Sequence, residues 1–305
     1  MDVTTIVNGQ LSPRLDVRDR GLAYGDGLFE TIAVSQGQVQ LWQPHRQRLI
    51  SGMLTLGLVA DETGALQLMK SVVKDMQAAY SLFGLPEGVI KIIVTRGNGG
   101  RGYAAPSAPA PLRIVSMMPC PLARSHLARQ GVCVQICQHR WSSNVALAGI
   151  KHLNRLDQVM ARKEWNDANV HEGIMLNQAG LVASGVMSNI FIELDGVLVT
   201  PKLDECGIHG TMAQTVSAIA QNCGISLIQR EVTLETLVNA DAVFFTNSLN
   251  GIWPAVELLP HTPEASATST PAIPSTHWAI SPMIIRLQTA LALQLSEQLN
   301  VGDLC

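Results

Sequence analysis

The stretch Leu147-Ala148-Gly149-Ile150-Lys151-His152-Leu153-Asn154-Arg155-Leu156 constrains this chain more than any other. A run of small and apolar residues ends at a lysine, and a segment with helical spacing follows at once. Leu156, Val159 and Met160 share one helical face, and Arg155, Asp157, Arg162 and Lys163 form most of the polar remainder. The pattern predicts a buried strand ending at Lys151 and a helix after it, a junction from which a side chain can enter a cleft. Burial disfavours the charged form of an amine. A lysine in such a cleft is a nucleophile able to form a Schiff base with a carbonyl. A surface lysine at a strand end fits the same residues and is the commoner case, because buried lysines are rare.

Around this stretch the chain alternates strand-like and helix-like segments. Thr4–Gly9 reads as a strand into a turn, and Leu28–Val34, Gln36-Gly37 and Val39–Trp42 as a hairpin. A helix is expected from about Pro44, with proline in its first turn. A second, from about Thr63 to Leu82, carries Leu66, Met69, Val73, Met76 and Ala79 at helical spacing. Strands follow at Val89–Thr95 and Leu112–Met118. Two prolines around Cys120 then mark a change of pattern. We therefore expect an N-terminal α+β domain over residues 1–118, a linker over 119–123, and a C-terminal domain over 124–305. The second domain reads as strands at Val132–Cys137, Gly173–Asn177, Asn189–Glu193 and Val197–Thr200, a helix at Thr211–Asn222, and a closing helix at Ile280–Leu299. Residues 261–277, rich in Pro, Ser, Thr and Ala, read as a loop.

Composition narrows the function classes. Hydrophobic residues make up 47% of the 305 and charged residues 15%, which suits a well-buried core and an oligomer interface. A net charge of -3 and 4% aromatic residues argue against a nucleic-acid partner. The six cysteines form no CxxC pair, so reduced core thiols are expected and no metal site. The N-terminal MDVTTIVNGQ has neither a basic start nor an apolar run, and no stretch is long enough to cross a bilayer. The expectation is a cytoplasmic enzyme with a small-molecule substrate.

Two Gly-rich segments could bind anions. Gly207-Ile208-His209-Gly210-Thr211 lies between a loop and a helix, where free N–H groups and the helix dipole converge. The same pattern also opens an ordinary Gly-rich helix. Arg96-Gly97-Asn98-Gly99-Gly100-Arg101-Gly102-Tyr103 follows a strand, so two arginines and a tyrosine can converge on carboxylates. No helix follows it and Pro106 interrupts the chain, which argues against a nucleotide loop. Arg101 is the expected substrate contact and Arg96 a structural residue. His152 is read as structural, since successive side chains of an extended chain point apart.

The run AGIKHLNRL, together with HRQRL, GLAYGDGLFET, GIHGT, SNIF and FFTNSLNG, resembles the 4-amino-4-deoxychorismate lyases. These belong with the branched-chain and D-amino-acid aminotransferases among the fold-type-IV pyridoxal-phosphate (PLP) enzymes, and the likeness runs in order from about residue 5 to residue 255. It implies a small α+β N-terminal domain, a larger barrel-like α/β C-terminal domain, and a homodimer. It implies that Lys151 carries PLP as a Schiff base. It also implies that Arg48, Ile208, His209 and Ser248 hold the phosphate, with Thr246 and Asn247 as neighbours of interest, and that Tyr24 lines the substrate pocket. Arg101 suits a substrate with two carboxylates. The implied reaction releases pyruvate from aminodeoxychorismate and leaves 4-aminobenzoate, in folate biosynthesis. A fold-type-IV aminotransferase, or a PLP-binding homologue with reduced catalysis, is the alternative. At one position the chain departs from the pattern. The family places a glutamate five residues before the Asn of the N-(I/L)-F strand, at the pyridine nitrogen, and here that residue is Ser184. A serine offers that nitrogen only a neutral hydrogen bond, a change that favours elimination over aminotransfer.

Overall fold

The computed structural model describes residues 3–12, 14–120, 125–261 and 272–304. The chain divides into two compact units. The first comprises residues 1–122 with two later returns, Ile150–Asn154 and Leu295–Cys305, and the second comprises 123–149 and 155–294. Both returns lie beyond the boundary expected at 119–123, of which residues 121–123 fall outside the described residues.

In the first unit, β1 (Thr4–Val7), β2 (Gln10–Leu11), α1 (Arg20–Tyr24), β3 (Gly27–Ser35), β4 (Gln38–Val39), α2 (Trp42–Thr55), α3 (Glu62–Phe83), β5 (Gly88–Thr95) and β6 (Leu112–Met118) follow in order. Leu299–Asn300 completes an antiparallel sheet, in the order Leu299–Asn300, β4, β3, β5, β6, β1, β2. The α3 helix starts where Asp61 Oδ1 accepts from Gly64 N at 2.8 Å and ends at left-handed Gly84. Its Met69, Val72 and Met76 are buried with Ile32, Ile90 and Ile92 of the sheet, so the 3.6-residue and two-residue periods meet in one core. Two differences from expectation stand out. Trp42 begins α2 rather than ending the hairpin, and it is buried. The short α1 was not expected; Asp19 caps it by accepting from Leu22 N at 3.1 Å.

The second unit runs α4 (Ser125–Gln130), β7 (Val132–Ile136), α5 (Leu156–Arg162), β8 (Val170–Leu176), β9 (Val182–Gly185), β10 (Asn189–Leu194), β11 (Val197–Pro201), α6 (Thr211–Asn222), β12 (Leu227–Arg230), α7 (Leu234–Val238), β13 (Ala242–Asn247), β14 (Gly251–Leu258), β15 (Thr276–His277) and α8 (Pro282–Leu295). Its mixed sheet has the order β12-β11-β10-β13-β14-β7-β8-β9, with β15 on β14. The β11–β12, β14–β7 and β7–β8 pairs are parallel and the rest antiparallel. Central strands such as β10 and β13 are apolar on both faces, as burial on both sides requires.

Three expectations are corrected here. No strand leads into Lys151: residues 141–150 are turns and loop. Apolar residues packed in a loop give the same sequence signal as a buried strand. The closing helix ends at Leu295, where a turn leads into Leu299–Asn300. The cysteines are not uniformly core thiols, since Cys120 is exposed while Cys137 and Cys206 are buried. Of the expected loop over 261–277, residues 262–271 lie outside the described residues; His261 and Ile273 pair with each other. No described helix is long and apolar enough to cross a membrane. The described residues hold no cluster suited to a metal ion.

Candidate active site

Lys151 is built into the first unit through its backbone. Its carbonyl accepts from Phe29 N at 3.1 Å, Leu153 N donates to Gly27 O at 2.9 Å, and Leu28 bridges to His152. Residues 151–153 thus pair with the first residues of β3. The Lys151 Nζ lies 4.2 Å from the centre of the Phe29 ring, an electrostatic seat for an ammonium group.

One residue along β3, Glu30 is buried. Its carboxylate meets His45 Nδ1 at 2.6 Å and accepts from Arg48 Nε at 2.8 Å. Burial pushes the Glu30 carboxyl up, but the charge and hydrogen bonds of Arg48 and the bond from His45 outweigh it and hold it at about 2. His45 is held below its ordinary value by burial, against the pull of Glu30. Glu30 and His45 were not singled out in the sequence. The signal was a glutamate at an inward position of β3, alternating with Phe29.

The first unit also carries an open cleft lined by Arg18, Arg20, Ala23, Tyr24, Gly99, Gly100 and Arg101. Tyr24 and Arg101, both expected at the substrate, thus share one cleft. Arg18 pairs with Asp16 at 2.7 Å. Arg96 is tied to Asp26 at 2.7 Å and to the carbonyls of Leu56 and Gly57, a structural placement. His152 Nδ1 accepts from Asn154 N at 3.2 Å.

In the second unit, the turn before α6 is fixed from two sides. Gly149 N donates to Gly207 O at 3.1 Å and His209 N to Gly149 O at 3.0 Å, while Asn189 Nδ2 donates to Ile208 O at 2.9 Å. A Cβ on Gly210 would fall 2.0 Å from Asn189 Oδ1, so only glycine fits this approach. No side chain caps the start of the twelve-residue α6, an end whose dipole favours an anion. Across the sheet, Thr246 pairs in register with Asn189. Its buried Oγ1 has no hydrogen-bond partner. An orphaned buried hydroxyl is costly unless a ligand satisfies it. Ser248 follows in the turn after β13. An uncapped helix start and an orphaned hydroxyl two residues from Ser248 fit a phosphate.

Ser184, on β9, is buried. Its Oγ accepts from Trp141 Nε1 at 3.0 Å and donates to Gly185 O at 2.7 Å. The neighbouring buried acid, Glu172, is fully engaged. Its Oε1 accepts from Gly173 N and Val186 N, and its Oε2 from Met187 N and Ser188 Oγ. Burial raises the Glu172 carboxyl despite these four donors.

The amino-transferase class IV family model matches residues 27–258. The aminodeoxychorismate lyase of Vibrio harveyi is 32% identical over 250 residues, which is 81% of this chain and 89% of that protein. The crystal structure of 4-amino-4-deoxychorismate lyase from Pseudomonas aeruginosa superimposes with a TM-score of 0.83 at 39% identity, covering 96% of this chain and 100% of that one. The branched-chain amino acid aminotransferase of Escherichia coli, at 21% identity and a TM-score of 0.77 over 96% of this chain and 94% of its own, shares the fold.

Proposed function

We propose, because this chain belongs to the amino-transferase class IV family, that it is a PLP-dependent lyase converting 4-amino-4-deoxychorismate into 4-aminobenzoate and pyruvate. The observation that carries this reading is the nearly full-length likeness to the Pseudomonas aeruginosa lyase. The geometry of both units agrees with it.

Lys151 is the attachment lysine, seated over Phe29. In the second unit the Ile208-His209 turn before α6 and Ser248 are the residues assigned to the phosphate, and in the first unit Arg48, held by Glu30, is the arginine the family resemblance assigns to it. Ser184 stands at the family's ring-nitrogen position. When bound, PLP draws electrons from the amine-bearing carbon of the substrate. Lys151 Nζ, when not carrying the cofactor, would be the base that removes the proton from that carbon. The enolpyruvyl group departs as the ring becomes aromatic, and aromatisation supplies much of the driving force. The protein's part is to position the substrate and move protons. Arg101 and Tyr24 line the cleft that receives the substrate carboxylates. Tyr24 and Arg101 belong to the first domain, before the linker at 119–123, and the phosphate turn belongs to the second.

The enzyme is proposed to be cytoplasmic and to work as a homodimer. Leu156, Val159 and Met160 of α5 are all exposed, an apolar stripe that a second copy would cover.

Incubation with aminodeoxychorismate tests the reading. Equal amounts of pyruvate and 4-aminobenzoate support it. Amino-group transfer from branched-chain or D-amino acids to a 2-oxo acid, with no pyruvate released from aminodeoxychorismate, refutes it in favour of an aminotransferase.

A further inference from the structure

Residues 99–104 form an exposed loop in the first unit, with glycine at three of six positions. Such a segment loses much conformational freedom when it takes one shape. Arg101 can meet a ligand at a fixed place only if something pins this backbone. The pin is Arg20, a residue of the α1 motif to which the reaction assigns no role.

The Arg20 side chain is 5% exposed. Its Nη1 donates to Gly102 O at 3.1 Å and Ala104 O at 3.2 Å, and its Nη2 to Tyr103 O at 2.9 Å. Three consecutive carbonyls of the loop are gathered by one guanidinium. The Nε donates to Asp26 Oδ2 at 2.9 Å, which anchors the arginine to the turn after α1. Asp26 is anchored in turn by Arg96. The guanidinium also lies 4.9 Å from the centre of the Tyr24 ring, and Tyr24 packs against Tyr103 at 5.5 Å. Arg20 therefore touches both walls of the cleft, Tyr24 directly and the Arg101 loop through its carbonyls. A Cβ on Gly99 would fall 2.6 Å from Arg20 Cδ, so this glycine is where the loop passes over the arginine. A lysine, a single point charge on a flexible stem, cannot serve three carbonyls and a carboxylate together.

We propose that Arg20 is a positioning residue for substrate recognition. Its buried guanidinium clamps residues 102–104 and so fixes Arg101 opposite Tyr24 in the cleft. Its guanidinium makes four hydrogen bonds to protein atoms, which assigns it to holding the loop at the cleft wall. The proposal rests on the reading of Arg101 as a substrate contact.

The test compares Arg20→Lys, Gly102→Ala and Arg101→Ala in the PLP-loaded protein. Nothing lies within 4 Å of a Cβ on Gly102, whose φ is +80°. Gly102→Ala thus strains the loop while leaving Arg20 in place. Both Arg20→Lys and Gly102→Ala are expected to lower the backbone NMR order parameters of residues 99–104, and to raise KM about tenfold with kcat within about threefold. Visible absorbance from bound PLP should be unchanged in all three. Unchanged order parameters in Arg20→Lys overturn the clamp. A fall in kcat at constant KM in Arg20→Lys and Gly102→Ala also overturns it, since the loop would then serve the chemical step. An unchanged KM in Arg101→Ala is a different failure: it removes Arg101 as the substrate contact on which the proposal rests.

Discussion

The indole of Trp141 donates to the hydroxyl of Ser184 at 3.0 Å, and that hydroxyl donates to the carbonyl of Gly185 at 2.7 Å. Both side chains are buried. Ser184→Ala would leave the Trp141 N–H buried without an acceptor, at a cost of about 1–3 kcal/mol. Trp141→Phe in the same chain should recover part of that loss, because the orphaned donor is then gone. Urea unfolding of the two single variants and the double variant measures this coupling. Strict additivity would show that the pair contributes nothing.

Ser184→Glu would put a carboxylate at the position that the family resemblance assigns to the ring nitrogen. Glu172 cannot fill that role as it stands, since both its oxygens each accept two donors. A carboxylate there holds the ring nitrogen protonated and favours aminotransfer, whose later proton transfers need a longer-lived carbanion than elimination does. Any side aminotransferase activity should therefore rise by a larger factor than the lyase activity. Rates of both reactions in wild type and Ser184→Glu decide this, and equal changes would contradict it.

Arg101→Ala is expected to weaken substrate use at least about tenfold in kcat/KM, the loss of one charged hydrogen bond to a carboxylate. PLP loading should hold. Loss of PLP with substrate affinity retained would move Arg101 to the phosphate.

Glu30 makes a pH prediction. Its carboxyl is held at about 2, below its ordinary 4.5. A depressed carboxylate stabilises the fold above its unfolded value, and that stability is lost as pH falls from about 4.5 towards 2. His45 acts in the same direction: held neutral by burial, it favours unfolding once pH drops below its ordinary 6.5. Glu30→Gln should cost about 3–5 kcal/mol at pH 7, the usual cost of breaking a buried pair by removing one partner. The gap to wild type should narrow towards pH 3. Unfolding midpoints across pH check this, and a gap that is independent of pH would contradict it.

Strong periodicity was legible in the sequence. Thr211–Asn222 matches its expected bounds at both ends, and α3 extends its expected range by one residue at each end. Neither was disturbed by tertiary context. The residues before Lys151 carry a strand's sequence signal because a loop packed by isolated bridges at Gly149 and His152 has the same apolar composition as a buried strand. Trp42 was drawn into a hairpin because an aromatic favours a strand, whereas burial against the core placed it in α2. At the candidate site, Lys151, Arg101 and the turn before α6 stood out because each residue type carries its chemistry openly. Arg20, Glu30 and Trp141 did not. Their roles consist of partners 82, 18 and 43 residues away in sequence, a relation that no local pattern encodes.

The most direct test is product formation from aminodeoxychorismate by wild type and Lys151→Ala, each supplied with PLP. Wild type should release pyruvate and 4-aminobenzoate in equal amounts, and Lys151→Ala should release neither and yield no borohydride-reducible PLP adduct. Pyruvate release by Lys151→Ala, or a reducible adduct on another lysine, would contradict the account.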